Sequence, residues 1–194
     1  MMNRYLERLL GVARASVASD MDFDSAISST INLLKMTNGT GNKIMIIGNG
    51  GSAGIASHVA IDLSKNAGIR AMALNDAATL TCLANDYGYE NVFAKQIEYH
   101  ARYGDVLIAI SSSGKSPNIL RAVLTAKDTL RWRAPSVVTF SGFEPDNPLR
   151  TMGDINFYVP SSEYGFVELA HQIFLPAITD VLCAEREKIK EAAE

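Results

Sequence analysis

The stretch KIMIIGNGGSAG, residues 43–54, decides the fold. Its first half is a short, apolar, β-branched run, which is typical of a strand buried on both faces. Its second half, Gly48 to Gly54, is rich in glycine and leads into a helical pattern, so the chain turns sharply where the strand ends. A strand, a glycine turn and a helix in this order predict the first unit of a parallel α/β sheet.

The same alternation of strand and helix continues along the chain. Further strand candidates lie at residues 70–74, 105–110, 136–140 and 155–159, and helical stretches fill the gaps between them. With right-handed crossovers, this order gives an α/β fold with a doubly wound parallel sheet. Ligands of such sheets bind beyond the carboxyl ends of the strands.

The pattern predicts a single domain over residues 1–194. Apolar residues recur at helical spacing over 5–17 and 23–36, so residues 1–37 form an N-terminal helical pair before the sheet core of residues 43–160. A long C-terminal helix follows at 164–190. The helical pair packs either on its own domain or against another subunit, and we interpret it as an oligomer contact.

Composition and charge narrow the class of protein. Apolar residues make up 47% of the chain, and the net charge is -3, an ordinary globular balance that argues against direct nucleic-acid binding. Charged residues interrupt the apolar residues of the N-terminus, so we expect neither a signal peptide nor a membrane span there. The sequence therefore predicts a cytoplasmic protein without a membrane partner.

The glycine turn after the first strand is a candidate ligand loop. Glycines let the backbone approach a ligand closely, and the free amides at a helix start favour an anion. The turn follows neither the GxGxxG pattern nor the P-loop lysine pattern, so no nucleotide cofactor is expected. A plain tight turn is the alternative. The predicted substrate or phosphate contacts here are Asn49, Gly50, Gly51 and Ser52.

A second loop, SSSGKS at residues 111–116, gives the stronger signal. It follows the strand candidate 105–110 and precedes a helix that begins near Pro117. Hydroxyls and backbone amides therefore converge at the positive end of a helix dipole, where they can donate to the three oxygens of a phosphate monoester. Helix capping alone would need one hydroxyl. The predicted phosphate ligands are Ser111, Ser112, Ser113 and Ser116.

Three motifs in this order, at residues 48–52, 83–90 and 111–116, resemble the sugar isomerase (SIS) domain family, in its phosphoheptose isomerase branch. The similarity covers nearly the whole chain. It implies a flavodoxin-like, three-layer α-β-α sandwich and usually a homotetramer. It also implies interconversion of sedoheptulose 7-phosphate with a heptopyranose 7-phosphate, an early step in bacterial lipopolysaccharide heptose synthesis. Asp86, in the second motif, would contact substrate hydroxyls.

An aldose–ketose isomerisation needs a base, an acid and stabilisation of an enediolate. Two pairs of ionisable residues lie on helices near the predicted loops. His58 and Asp62 are spaced i, i+4, and Glu168 and His171 are spaced i, i+3, so each pair shares a helix face. We predict Asp62, Glu168 and His171 as catalytic residues.

The resemblance also marks three departures from the family pattern. Asp62 falls at the position of the family's catalytic glutamate and is one methylene shorter. Glu168 falls where the family usually carries glutamine. Pro176 falls at the second catalytic histidine, and proline cannot transfer a proton.

Three explanations for Pro176 compete. His171, one turn earlier, takes over the acid/base role while Pro176 kinks the helix. Alternatively, His58, Asp62 and Glu168 hold zinc or another divalent metal, as the corresponding residues do in zinc-bound family members. In the third, catalysis is lost, and the domain only binds a sugar phosphate or associates with a replication initiator, as a relative does. Of these, we favour a phosphosugar isomerase.

Overall fold

The computed structural model describes residues 1–129 and 137–192. Short 3₁₀ or π-helical turns lie at Leu63–Ala67, Tyr89–Asn91 and Pro148–Thr151. The main elements, in chain order, are α1 (Met2–Arg14), β1 (Val17–Ala18), α2 (Phe23–Gly39), β2 (Ile44–Ile47), α3 (Gly51–Asp62), β3 (Ala71–Ala73), α4 (Ala77–Tyr87), α5 (Val92–His100), β4 (Val106–Ser111), α6 (Pro117–Thr129), β5 (Val137–Ser141), β6 (Ile155–Tyr158) and α7 (Tyr164–Glu191).

In the described part of the chain, six strands form one sheet in the order β1-β6-β5-β4-β2-β3. Five of them run parallel, and β1 pairs antiparallel with β6. Each predicted strand is present within one or two residues of its expected bounds. Ser136, the predicted first residue of one strand, lies outside the described residues. The predicted three-layer α-β-α sandwich is confirmed.

Residues 44–47 are all apolar because helices cover both faces of the strand that they form. Ile44 and Ile46 pack into the core that α2, α3 and α7 form on one side of the sheet. Met45 and Ile47 pack into the core of α4, α5 and α6 on the other side. All four residues of β2 are fully buried, as expected for a central parallel strand.

The N-terminal segment differs from its prediction. The first helix ends at Arg14, and Val17, which we placed in the helix, forms β1 opposite Tyr158. The sheet therefore extends beyond the predicted core of residues 43–160. The physical reason is the exposed edge of β6, whose backbone groups need partners that only a distant segment of the chain supplies. The predicted helical pair is otherwise present.

Helix α7 runs from Tyr164 to Glu191 and continues through Pro176 without a break. Among the described residues, it is the one helix whose length and composition would suffice to cross a membrane. Half of its most apolar stretch is buried inside the protein, where α7 packs against α1, α2 and α3. This placement is typical of the core helix of a globular domain.

A buried carboxylate joins the starts of β2 and β4. Asp105, 1% exposed, accepts hydrogen bonds from the backbone N–H of Lys43 at 2.9 Å and of Arg102 at 2.8 Å. It also pairs with the ammonium group of Lys43. This one side chain therefore fixes the amino-terminal ends of two neighbouring strands.

Replacing Asp105 by alanine is expected to lower the free energy of unfolding by about 3 kcal/mol, because it removes the charge partner of the Lys43 ammonium group and the acceptor of two backbone N–H groups. Urea unfolding measures the change. Glu185→Ala is the matched control, since it breaks the exposed Lys35–Glu185 pair at 2.7 Å and should cost less than about 1 kcal/mol. Equal losses in the two variants would contradict this account.

Candidate active site

A small cleft lies beyond the carboxyl ends of β2 and β4, where a doubly wound sheet binds its ligands. Its volume is about 120 Å³. The four predicted serines of the second loop all face it, and so do Asn49 and Ser52 of the first loop. The lining residues are Asn49, Ser52, Ile110, Ser111, Ser112, Ser113, Ser116, Tyr164 and Glu168.

The serine loop owes its shape to Gly114. This residue has φ +63°, a backbone conformation that is strained for residues with a side chain. A Cβ here would also overlap the buried Asn147. Its N–H donates to the carbonyl of Ser111 at 3.0 Å, and its carbonyl accepts from Leu149 at 3.2 Å. The loop is thus held from both sides before any ligand arrives.

The hydroxyls of this loop are grouped at the start of α6. Ser111 Oγ lies 3.3 Å from Ser116 Oγ, and Ser113 Oγ accepts from the N–H of Lys115 at 3.3 Å. Pro117 is the first residue of the helix, where its missing N–H costs nothing. Grouped hydroxyls at the positive end of a helix suit an anion.

The glycine loop plays a different part from the one we predicted. Asn49 and Ser52 line the cleft, but Gly50 and Gly51 do not. Instead, the Glu168 carboxylate lies directly over Gly51, so close that a Cβ on Gly51 would come within 2.5 Å of Glu168 Oε2. The positive end of α3 therefore already faces a protein carboxylate.

Two helix starts consequently meet at the cleft with unequal roles. The start of α3 is faced by Glu168, whose negative charge would repel a phosphate dianion there. The start of α6 has its serine hydroxyls directed into the same cleft. The arrangement favours a ligand phosphate on the α6 side and the rest of the ligand toward α3 and α7.

His58 and Asp62 form a pair on the side of α3 that faces α7. His58 Nε2 lies 3.2 Å from Asp62 Oδ2. The amide of Gln172, on α7, lies 3.4 Å from His58 Nδ1, and Asn66 donates to Asp62 Oδ1 at 3.2 Å. The His58 side chain is 58% exposed, so a ligand extending from the cleft can reach the pair.

The predicted metal site does not assemble. Among residues 1–129 and 137–192, no group of three His, Cys, Asp or Glu side chains is placed to hold a metal ion. His58 and Asp62 contact each other, but Glu168 lies beside Gly51, about two helical turns before His58 and about three before Asp62. The donor set His58, Asp62 and Glu168 therefore does not fit zinc in this arrangement.

His171 is not in the cleft, which corrects its assignment as an acid/base group. It is completely buried, and its Nε2 donates to the carbonyl oxygen of Ser141 at 3.3 Å. Its Nδ1 has no hydrogen-bond partner among the described residues. Burial lowers the pKa of His171 to about 4, against a smaller opposing effect of the bond to Ser141. A neutral, enclosed imidazole is a structural group.

Asp86 also lies away from the cleft. It is exposed in the last turn of α4, where its carboxylate accepts from the side chain of Asn85 at 2.9 Å. Its contact with substrate remains a prediction.

The sequence analysis did not identify three residues at or next to the cleft. Tyr164 lines the cleft, and Asn118 and Tyr89 bond to Asn49. The position of Asn118, two residues beyond the serine loop, was the available signal.

Larger depressions lie elsewhere on the described surface. One of about 350 Å³ adjoins Lys43 and Arg70, and one of about 490 Å³ lies between α1, α2 and α7. The first sits at the amino-terminal ends of the strands, opposite the edge where such sheets bind ligands. Size alone therefore does not locate the site, and the grouped serine hydroxyls do.

The structural role of His171 predicts a pH dependence of stability. Its pKa is about 4 in the folded protein and 6.5 as a free side chain, so between these values the unfolded chain binds the proton and the folded chain does not. Stability therefore falls as the pH drops from 6.5 to 4. From pH 7 to 5, the loss due to His171 is on the order of 2 kcal/mol.

Urea unfolding at pH 7 and pH 5 measures this loss. His171→Gln should flatten the pH dependence by that amount, whereas His100→Gln, at an exposed position, should leave it unchanged. Identical pH profiles for the wild type and His171→Gln would show that His171 is accessible to protons, which contradicts its burial.

Comparisons with known proteins agree with this architecture. The SIS domain family matches residues 5–129. The phosphoheptose isomerase of Helicobacter pylori (strain ATCC 700392 / 26695) is 38% identical over 167 residues, 83% of each chain. That of Thiobacillus denitrificans is 34% identical over 188 residues, 91% of this chain and 93% of the relative.

A solved structure gives the same result in three dimensions. The phosphoheptose isomerase of Neisseria gonorrhoeae superposes with a TM-score of 0.80 at 26% identity, over 93% of this chain and 97% of the other. The sequence motifs, the sheet topology and the full-length relatives agree. This chain belongs to the SIS domain family, in its phosphoheptose isomerase branch.

Proposed function

We propose that this protein is an aldose–ketose isomerase of sugar phosphates and that its substrate is sedoheptulose 7-phosphate or a close relative. The observation that carries the proposal is the serine cleft at the start of α6, with the α7 carboxylate of Glu168 in its lining and the His58–Asp62 pair farther along α3. The relatives named phosphoheptose isomerase support the choice of substrate. The relatives do not favour the alternative of a binding domain without activity, which Pro176 had suggested.

The size of the cleft fits the phosphate end of such a substrate. At about 120 Å³, it is smaller than the pockets that enclose whole ligands, which measure about 300 Å³ or more. The sugar therefore extends outward, along the seam between α3 and α7. From Gly51 to His58, α3 advances about 10 Å, and an extended heptose 7-phosphate, with bonds of about 1.5 Å, spans a similar distance from its phosphorus atom to C1. The carboxylate of Asp62 reaches back to this level of the helix, since its Oδ2 lies 3.2 Å from His58 Nε2.

This placement brings the reacting carbons of the sugar to Asp62 and His58, because C1 and C2 lie at the opposite end from the phosphate. In the ring-opened ketose, Asp62 removes a proton from C1, and the C2 carbonyl becomes an enediolate. The same carboxyl group returns the proton to C2, while a second proton passes from O1 to O2, which yields the aldose. His58 and Asn66 hold Asp62 in one orientation for both transfers.

Glu168 lies closer to the phosphate end than Asp62 does. It lines the cleft and faces the start of α3. We therefore assign two roles to its carboxylate: it binds sugar hydroxyls, and it repels the phosphate toward the serine loop. These roles differ from the proton transfer that the sequence predicted for it. The two carboxylates should therefore affect different kinetic constants.

The homotetramer and the cytoplasmic location are part of the same proposal. Large apolar side chains are exposed along α1, at Leu6 and Leu10, and along α7, at Leu169 and Ile173. Contiguous exposed apolar surface marks interaction sites, and a second copy of the chain is the partner that the family resemblance implies. The proposal includes no nucleotide cofactor.

Ser113→Ala is expected to weaken binding of sedoheptulose 7-phosphate about tenfold or more, because it removes a hydroxyl donor to a charged ligand. Isothermal titration calorimetry measures the dissociation constant. Ser28→Ala, at an exposed position on α2, is the matched control and should bind like the wild type. Unchanged binding by Ser113→Ala would remove the serine cleft as the phosphate site.

Asp62→Asn is expected to lower kcat for sedoheptulose 7-phosphate at least about a hundredfold with little change in KM, because an amide cannot accept the proton. Glu168→Gln should raise KM severalfold and leave kcat within a few-fold. Asp180→Asn, an exposed carboxylate on α7, is the control and should match the wild type in a coupled isomerase assay.

Two results would contradict these roles. A loss of kcat in Glu168→Gln equal to that in Asp62→Asn would make Glu168 the base. Wild-type protein that binds several ketose phosphates but isomerises none would support a binding domain without activity.

A further inference from the structure

We infer that Asn118 is a positioning residue that fixes the side-chain amide of Asn49 as a hydrogen-bond donor toward the ligand. Asn118 is 2% exposed and does not line the cleft, so it acts through Asn49. The inference rests on the proposed function only for the identity of the ligand. The orientation of Asn49 follows from contacts within the protein.

The two side chains form a reciprocal amide pair. Asn49 Nδ2 donates to Asn118 Oδ1 at 3.0 Å, and Asn118 Nδ2 donates to Asn49 Oδ1 at 2.9 Å. Asn49 belongs to the loop after β2, and Asn118 lies in the first turn of α6. The pair therefore joins the two loops that form the cleft.

A backbone group determines which way round the pair lies. The N–H of Ile119 points at Asn118 Oδ1 at 3.0 Å and also donates to the carbonyl oxygen of Ser116 at 3.0 Å. If the Asn118 amide were flipped, its Nδ2 would face this N–H, donor against donor, which is unfavourable in a buried place. Asn118 Oδ1 must therefore remain where it is. Because the pair is reciprocal, Asn49 must present Nδ2 to that oxygen and Oδ1 to Asn118 Nδ2.

Tyr89 completes the arrangement from a third part of the chain. Its hydroxyl donates to Asn49 Oδ1 at 3.1 Å, so this oxygen accepts from both Tyr89 and Asn118. Both lone pairs of Asn49 Oδ1 are used. One N–H of Asn49 Nδ2 is used by Asn118, and the other has no partner among the described residues.

The consequence is a constraint on the ligand. Asn49 lines the cleft and can offer a ligand its remaining N–H, but it cannot accept from a sugar hydroxyl. The ligand atom at this point must therefore be an acceptor, such as a phosphate oxygen or the oxygen of a carbonyl or enediolate. Asn118 and Tyr89 set this preference without themselves being catalytic residues.

A double-mutant cycle tests whether Asn118 acts through Asn49. We expect Asn118→Ala and Asn49→Ala each to weaken binding of sedoheptulose 7-phosphate about tenfold, and the double variant to bind no more weakly than Asn49→Ala alone. Tyr89→Phe, which keeps the ring at an exposed position, should weaken binding about threefold, and this effect should vanish in the Asn49→Ala background. Losses that multiply in either double variant would overturn the inference.

A second measurement needs no ligand and is independent of the function. In ¹⁵N NMR spectra of the free protein, one side-chain Nδ2 proton of Asn49 should exchange with water at least about tenfold more slowly than those of Asn3, an exposed asparagine. Asn118→Ala, which removes the acceptor Oδ1 of this bond, should abolish this protection. Equally fast exchange at Asn49 and Asn3 would overturn the inference even if the enzyme proves active, and protected exchange would uphold it even if the substrate differs.

Discussion

The parallel pairing of β2 with β4 is the constraint on which the site depends. Ile47 lies opposite Ala109, so the two chain segments leave the sheet side by side, and α3 and α6 begin next to each other. Each helix start carries unpaired backbone amides and a partial positive charge. Glu168 faces the first start, and the second, with its serine hydroxyls, is the proposed site for a phosphate dianion. The sheet edge thereby separates a protein carboxylate from a ligand group of the same sign.

The sequence predicted those parts of the fold whose signals are local. The buried strand at residues 44–47 and the serine loop are recognisable because each needs a particular residue type at consecutive positions. The pairing of Val17 with Tyr158 was not predictable, since it depends on an edge formed by residues far along the chain. The contact between Asn49 and Asn118 was missed for the same reason, as the two residues are distant in sequence.

Helix spacing alone did not predict correctly that His171 lies in the core rather than in the cleft. Side chains at i and i+3 differ by about 60° around the helix axis, which is close enough to call one face. On α7, this angle spans the boundary between the cleft, where Glu168 lies, and the core, where His171 donates to Ser141. Only the packing of the helix on the sheet determines where that boundary falls. The prediction that His58 and Asp62 share a face was not affected in this way, because both residues lie on the side of α3 that faces α7.

Because residue 176 is a proline, the proposed proton transfer is assigned to α3 and not to α7. Proline has no N–H, so the carbonyl of Gln172, four residues earlier, lacks its helical hydrogen bond. The side chain of Gln172 meanwhile contacts His58, across the seam from Asp62. In the proposed mechanism, α7 therefore contributes an amide that orients the imidazole of its neighbour, where the family resemblance implies an imidazole of its own. Because His58 and Asn66 both bond to Asp62, its shorter side chain is held in one orientation, which lowers the entropic cost of aligning the carboxylate with the substrate carbon.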